Sequence, residues 1–376
     1  MHHNGLQRVP ERALLNPTRV RTWDVHAMAH NGFVDLYSDT QTKPSAAMRK
    51  AMAEAEVGDE QRRADPTTRR LEERVAEMLG KQDAVFLPSG TMCNQIAMAV
   101  HCTAGDEIIA ADSAHVFISE GGGASSLSRA QTWPVKSDMG LFTASDMIAA
   151  VRDPSSRHQP RSRLVVIEQT ANMGGGRIWP LPQIAEVSAA ARSHGLKVHM
   201  DGARLPNAVV ASGISAISMT QHVDTAWIDL SKGLGCPIGG VLAGSEDFIH
   251  EAWRWKQRIG GALRQSGIVA AAGLYALDHN LERLAEDHAN AKLLAQRIGN
   301  IPGLVLSNGL PQSNILFFRV ETAHMSPAQL CAALLKKNVR MGAFGGANGR
   351  IRCVTHLDIS RTDIERAATA LAEVMA

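Results

Sequence analysis

Between residues 84 and 243 short apolar runs alternate with stretches of helical spacing, and no other feature of the chain narrows its fold so far. The runs are Ala84–Leu87, Glu107–Ala110, Leu164–Glu168, Lys197–Asp201, Thr225–Leu230 and Ile238–Ala243. Their length is that of strands rather than of helices. Among the intervening stretches, Thr67–Leu79 carries Leu71, Val75, Met78 and Leu79 at helical spacing. A second helix is expected after Ser89, whose hydroxyl can accept a free N-terminal N–H, and a third over about Leu181–His194. Strands that alternate with helices pair in parallel beneath them, so the reading is an α/β domain with a mostly parallel mixed sheet between helices.

Past the Arg264–Gly267 stretch the pattern changes. One long helix-like segment, about Ile268–Ile298, leads to a strand (Ile315–Val320), a helix (Pro327–Lys337), a second strand (Arg350–Val354) and a last helix from about Arg361. This predicts a smaller C-terminal α+β domain. A chain of 376 residues suits that division: an N-terminal arm (1–33), a large domain (34–267), and a linking helix with the small domain (268–376). The arm has arginines and prolines but no apolar core of a secretory signal. The glycine-rich pieces Gly121–Gly123, Gly174–Gly176 and Gly345–Gly346 read as turns.

The 39 basic and 37 acidic residues balance to a formal +2, and no basic cluster stands out, so neither a nucleic-acid nor a membrane partner is expected. No run approaches the roughly 18 apolar residues of a membrane span. Five scattered cysteines without a C-x-x-C pair argue against a disulfide framework and against a structural metal site. They suit a reducing compartment, and the cytoplasm is the expected one.

The residues able to do chemistry fall at strand ends. Ser231-Lys232-Gly233-Leu234-Gly235 directly follows a predicted strand, so the backbone fixes Lys232 while its amine can reach an internal aldehyde. Alone, it reads more readily as a surface lysine in a turn. Asp201 ends the strand Lys197–Asp201, where a buried carboxylate is costly unless a cation pairs with it. A protonated pyridine nitrogen is such a cation; the competing reading is a helix N-cap. In Pro88-Ser89-Gly90-Thr91, between a strand and a helix, free N–H groups, a glycine and two hydroxyls suit a phosphate. His115, just past the next strand, can stack on a ring and exchange protons, or serve only packing.

In order along the chain these residues resemble the low-specificity L-threonine aldolases, pyridoxal-phosphate (PLP) enzymes of fold type I that split β-hydroxy-α-amino acids into glycine and an aldehyde. The resemblance runs from Val34 onward. It passes through Asp35-Leu36-Tyr37-Ser38-Asp39-Thr40, Leu87-Pro88-Ser89-Gly90-Thr91, His115 with Glu120-Gly121-Gly122, and His199-Met200-Asp201-Gly202-Ala203-Arg204. It continues through Leu230-Ser231-Lys232-Gly233-Leu234-Gly235, Arg264-Gln265-Ser266-Gly267 and Val354-Thr355-His356-Leu357-Asp358. The resemblance implies that Lys232 holds PLP as a Schiff base and that Asp201 pairs with its ring nitrogen. Gly90 and Thr91 would hold the phosphate, with Arg264 of a neighbouring subunit. His115 would stack on the ring and act as the base toward the β-hydroxyl, directly or through a water. Ser38, Arg204 and Arg352 would grip the carboxylate of a small amino-acid substrate, and Arg204 would also lie against the cofactor. A homo-oligomer, a dimer of dimers with shared sites, is implied.

Two positions depart from the family pattern. Arg62 in Asp59-Glu60-Gln61-Arg62-Arg63-Ala64-Asp65-Pro66 stands where a tyrosine is usual, and Ala171 in Glu168-Gln169-Thr170-Ala171-Asn172 stands where a second histidine is usual. An alanine cannot hydrogen-bond a β-hydroxyl, and an arginine could select an acidic or larger β-substituent. The fold and cofactor leave β-elimination and racemisation open as alternatives, and a PLP-binding protein without turnover stands as a third reading. A nucleotide-binding module is disfavoured, since the chain has no G-x-x-x-x-G-K-[ST] and its glycine triplets lack Rossmann spacing.

Overall fold

Seven strands form the central sheet: β1 (Asp83–Leu87), β2 (Asp106–Ala111), β3 (Gln131–Val135), β4 (Arg161–Glu168), β5 (Lys197–Asp201), β6 (Thr225–Asp229) and β7 (Gly240–Gly244). The structure is a computed structural model that describes residues 32–346 and 349–376; all but the last two positions of the expected N-terminal arm lie outside the described residues. The strand order is β1-β7-β6-β5-β4-β2-β3. Only β7 runs antiparallel, to both β1 and β6. Six of the strands therefore end at one edge of the sheet, and their carboxyl ends deliver Gly90, His115, Glu168, Asp201 and Lys232 to the same face of the molecule. Crevices at that edge are where open α/β sheets bind ligands.

All six predicted apolar runs coincide with sheet strands to within three residues, Ile238–Ala243 corresponding to Gly240–Gly244. Every residue of β2, β6 and β7 is buried, as a sheet covered on both faces requires. The strand not foreseen is β3, at the sheet edge, where exposed Gln131, Trp133 and Pro134 interrupt any apolar pattern. A proline there removes no ladder bond that an outer neighbour would need. Helix Pro66–Met78 is capped by Asp65, and Gly90–His101 is capped by Ser89, whose hydroxyl accepts from Met92 N at 3.2 Å.

The single long helix expected over Ile268–Ile298 is instead two, Gly267–His279 and Leu284–Gly299. Each serves a different core. Ala270, Ala272 and Ala276 pack into the core of the large sheet, whereas Ala291, Leu294 and Ile298 pack beneath the C-terminal sheet, so the segment must turn between them. Asn280 sits at the break and donates its side-chain amide to Leu234 O at 2.8 Å, tying the turn to the loop that carries Lys232.

The C-terminal sheet has four antiparallel strands in the order Gly342–Phe344, Arg350–Val354, Ile315–Val320, Leu304–Leu306. Helices Pro327–Lys336 and Arg361–Met375 cover it through Leu330, Leu334, Ile364 and Leu371. Val34–Asp35 pairs in parallel with Val339–Arg340, and Val34 and Leu36 enter this second core. The residues just after them, Tyr37 to Thr42, are thereby held between the C-terminal sheet and the edge of the large one. No helix among the described residues is long and apolar enough to cross a membrane. The five cysteines are free thiols.

Candidate active site

Lys232 lies in a reversal between β6 and β7 whose main chain is closed by Leu230 N to Gly239 O and Cys236 N to Leu230 O, both 2.9 Å. Gly235 takes a φ of +77°, and a Cβ there would meet Leu357 at 2.5 Å, so only glycine closes this turn without displacing a neighbour. Thr42 donates its hydroxyl to Lys232 O at 2.8 Å. The lysine side chain is only 16% exposed, and its Nζ is 3.0 Å from Asp229 Oδ2. The turn is thus a buried one, and the surface-lysine reading falls away.

Asp201 is buried and has no ion-pair partner among the described residues. Its Oδ2 accepts from Asn94 Nδ2 at 2.8 Å and its Oδ1 from Ala203 N at 3.1 Å. It caps no helix, because the next one begins at Leu205 with Arg204 at its cap position. Burial, reinforced by the nearby Glu120 carboxylate, raises its pKa above the usual carboxylate value. A cation placed against Asp201 would reverse that.

Asn94 organises the surroundings. Its amide nitrogen also donates to Glu120 Oε1 at 2.7 Å, and its oxygen accepts from Trp227 Nε1 at 2.8 Å. His199 lies behind it, 3.1 Å from Asn94 Oδ1, and burial lowers its pKa to about 3, so it is neutral. His115 faces the same cluster with Nδ1 2.9 Å from Glu120 Oε1 and its side chain 33% exposed. Burial pulls the imidazole pKa down, but the Glu120 hydrogen bond and the charges of Asp201 and Glu168 outweigh it, and the net shift is upward. His115, Glu120 and Asp201 each offer a ligand atom within 4.8 Å of the others, an arrangement that attracts positive charge.

Glu168 joins the two sides of the site. Its Oε2 accepts from His115 N at 2.6 Å and its Oε1 from Asn172 N at 2.7 Å. Burial and the Asp201 charge raise its pKa to about 7.

At the helix terminus after β1, Gly90 is buried and Thr91 is exposed. A Cβ on Gly90 would stand 2.3 Å from the Trp227 ring and 2.9 Å from Asp229 Oδ2, so this position admits only glycine. N–H groups that open the first turn of a helix are of the kind that suit an anion.

Opposite lies a basic group. Ser38 caps the short turn Asp39–Gln41, its oxygen accepting from Thr40 N at 3.2 Å and from Thr40 Oγ1 at 2.9 Å. Arg204 donates from Nε and Nη2 to the two Asp39 oxygens, both at 2.7 Å. Two of its three nitrogens are therefore already engaged, which leaves Nη1 for any ligand. Arg352 donates to Asn172 Oδ1 at 3.0 Å and to Tyr37 O at 3.2 Å, while its buried Nε has no partner.

Two arginines stand apart from this cluster. Arg264 is 64% exposed and weakly paired with Asp59 at 3.4 Å, and Arg62 is 85% exposed beside the same acid. Ala171 is buried, with its Cβ 2.7 Å from where a Cβ of Gly140 would lie, so its small side chain packs on the Asp138–Leu141 turn. Asp39, Asn94, Glu120, Glu168 and Asp229 were not among the site residues chosen from the sequence. Glu120, Asp39 and Glu168 stood inside the quoted stretches, but nothing in their spacing told a bridging acid from a solvated one.

The model of the beta-eliminating lyase family matches residues 35–321 of the chain. A low-specificity L-threonine aldolase of Escherichia coli K12 is 40% identical over 335 residues, 89% of this chain and 97% of that one. Low-specificity L-threonine aldolase 1 of Arabidopsis thaliana is 39% identical over 348 residues, 91% and 96% of the two chains. The solved threonine aldolase of Leishmania major, 20% identical, superposes with a TM-score of 0.78 over 91% of this chain and all of that one, a likeness of fold.

Proposed function

The chain belongs to the beta-eliminating lyase family, and from that premise we propose that it is a PLP-dependent aldolase cleaving β-hydroxy-α-amino acids to glycine and an aldehyde. The observation that carries the reading is Asp201, an acid buried with no ion-pair partner among the described residues, at the carboxyl edge that also carries Lys232. The residues fit PLP. Lys232 would hold its aldehyde, Asp201 its ring nitrogen, the Gly90–Thr91 helix terminus its phosphate, and His115 one face of its ring. Once bound, PLP supplies an electron sink for the charge left at Cα when the Cα–Cβ bond breaks.

The protein's share is to bind, orient and move protons. Arg352 and Ser38 receive the substrate carboxylate, and Arg204 Nη1 completes the grip while Asp39 fixes its guanidinium. Holding the carboxylate sets which Cα bond stands perpendicular to the cofactor ring. His115 keeps Nδ1 against Glu120, which leaves Nε2 as the atom to take the β-hydroxyl proton, directly or through a water. The Glu120 carboxylate then stabilises the imidazolium. The exposed Arg264 supports a dimer of dimers in which it reaches the phosphate end of a neighbouring subunit's site. We place the protein in the cytoplasm, in keeping with its free thiols.

The test is the PLP-loaded protein with L-threonine, L-allo-threonine and β-phenylserine. Glycine and an aldehyde in equal amounts are expected. Ammonia and a keto acid would instead establish β-elimination, and the aldolase reading would be wrong.

A further inference from the structure

Arg350 and Arg352 share one face of the strand Arg350–Val354, since residues two apart on a strand point the same way. Both turn to the loop after Glu168. Arg352 donates to the Asn172 side chain, and Arg350 Nη2 donates to the next residue, Met173 O, at 2.9 Å. Arg350 lies over the Phe317 ring, its Cζ 4.2 Å from the centroid, and Arg352 lies 5.0 Å from that of Phe344. Neither guanidinium has a carboxylate within ion-pair distance among the described residues.

That sets this buried and half-buried pair apart from other enclosed cations. Arg204 has Asp39, Lys256 has Glu60, and Arg152 has Glu107. Burial lowers the pKa of both Arg350 and Arg352, and for Arg352 the Arg204 charge lowers it further. The strand thus presents two positive charges with no carboxylate in direct contact among the described residues, and the Nε of Arg352 is buried without a hydrogen-bond partner. A substrate with a single carboxylate answers only one of them.

We propose that Arg350 sets substrate specificity by binding a second carboxylate, carried on the β-substituent, so that the preferred substrates are acidic β-hydroxy-α-amino acids. This rests on the aldolase reading above. The α-carboxylate occupies Arg352, and the β-substituent extends along the strand toward Arg350, past Asn172 and Met173. Cleavage is balanced as for any member of the class. The Cα–Cβ bond breaks, the β-hydroxyl proton goes to the base, the β-carbon leaves as an aldehyde bearing the acid, and Cα takes a proton to give glycine. For 3-hydroxyaspartate the products are glycine and glyoxylate.

The experiment measures kcat/KM for 3-hydroxyaspartate and for L-threonine with the PLP-loaded wild type and with Arg350→Met and Arg350→Lys. The wild type is expected to favour the diacid at least about tenfold, the size of one charge-assisted contact. Arg350→Met should cut the ratio of the two kcat/KM values by about 10- to 100-fold, with Arg350→Lys between. A second readout needs no turnover: succinate should raise the thermal midpoint of the wild type more than propionate does, and this difference should vanish in Arg350→Met. A wild type that prefers threonine, or a ratio unmoved by Arg350→Met, overturns the proposal. If the wild type forms glycine from neither substrate, the aldolase reading fails and this proposal with it.

Discussion

Replacing Asp39 by asparagine tests how the carboxylate-binding side of the site is held. Asp39 and Arg204 are both buried and joined by two 2.7 Å hydrogen bonds, with Asn314 Nδ2 a further donor to Asp39 at 3.1 Å. Asp39→Asn removes the only acid paired with Arg204 among the described residues and leaves a buried guanidinium without its ion-pair partner, which costs about 3–5 kcal/mol. The new amide oxygen still accepts one of the two hydrogen bonds, so the lower figure, about 3 kcal/mol, is expected. At about 2 °C per kcal/mol for a large domain, Tm at pH 7 falls by about 6 °C. The pH dependence has a definite sign. Burial works against the Asp39 charge, but Arg204 outweighs it and holds the carboxyl far below its unfolded pKa of about 3.9. Its contribution is therefore fully present above about pH 4 and is lost as the pH falls toward its folded pKa. The Tm gap between wild type and variant should hold from pH 7 to pH 5 and narrow toward pH 3. The double variant Asp39→Asn/Arg204→Gln should be more stable than the sum of the single losses by about 2 kcal/mol, since it strands no charge. Thermal unfolding followed by circular dichroism reads each quantity. A drop under about 2 °C at pH 7, or a gap that does not narrow in acid, refutes the assigned pairing.

Three further outcomes can be checked. Lys232→Ala should purify without the visible absorbance of bound PLP and form no glycine, with its far-ultraviolet dichroism unchanged; a coloured, active variant would remove Lys232 from its assigned role. Gly90→Ala forces a Cβ to within 2.3 Å of the Trp227 ring, so Trp227 must shift, and PLP affinity should fall by about 10- to 100-fold with altered tryptophan fluorescence, measured by cofactor titration. Glu168, with its pKa raised to about 7, shares its titration with His115 and Asp201, so the wild-type kcat/KM profile should show a limb near neutrality. Glu168→Gln should move that limb by about half a pH unit or more, and a superimposable profile would remove Glu168 from the titrating cluster.

The strands were legible in the sequence because a sheet covered on both faces needs continuous apolar runs, and their ends mark the site because side chains there leave the sheet. Lys232, Asp201, Gly90 and His115 were reached that way, and all four lie at the carboxyl edge. The partners that hold them were not. Asp39 meets Arg204 across 165 positions and Asn94 meets Asp201 across 107, and no local spacing encodes such a pairing. Strand β3 escaped because an outer strand with three exposed residues has no apolar period to read. The turn at Asn280 escaped because it contains neither proline nor glycine; it is imposed by two separate cores, a tertiary cause that helix propensity does not report.

Because β7 returns antiparallel beside β6, the chain reverses at the same border where the large sheet's other working side chains emerge, and its chemistry is confined to one rim of that sheet. Among the described residues the opposite rim of the sheet carries connecting segments. The exposed stretch from Asp153 to Gln159, which enters β4 from behind, is therefore where this protein can accept added sequence, a label or a fused domain while its reactive groups stay in register.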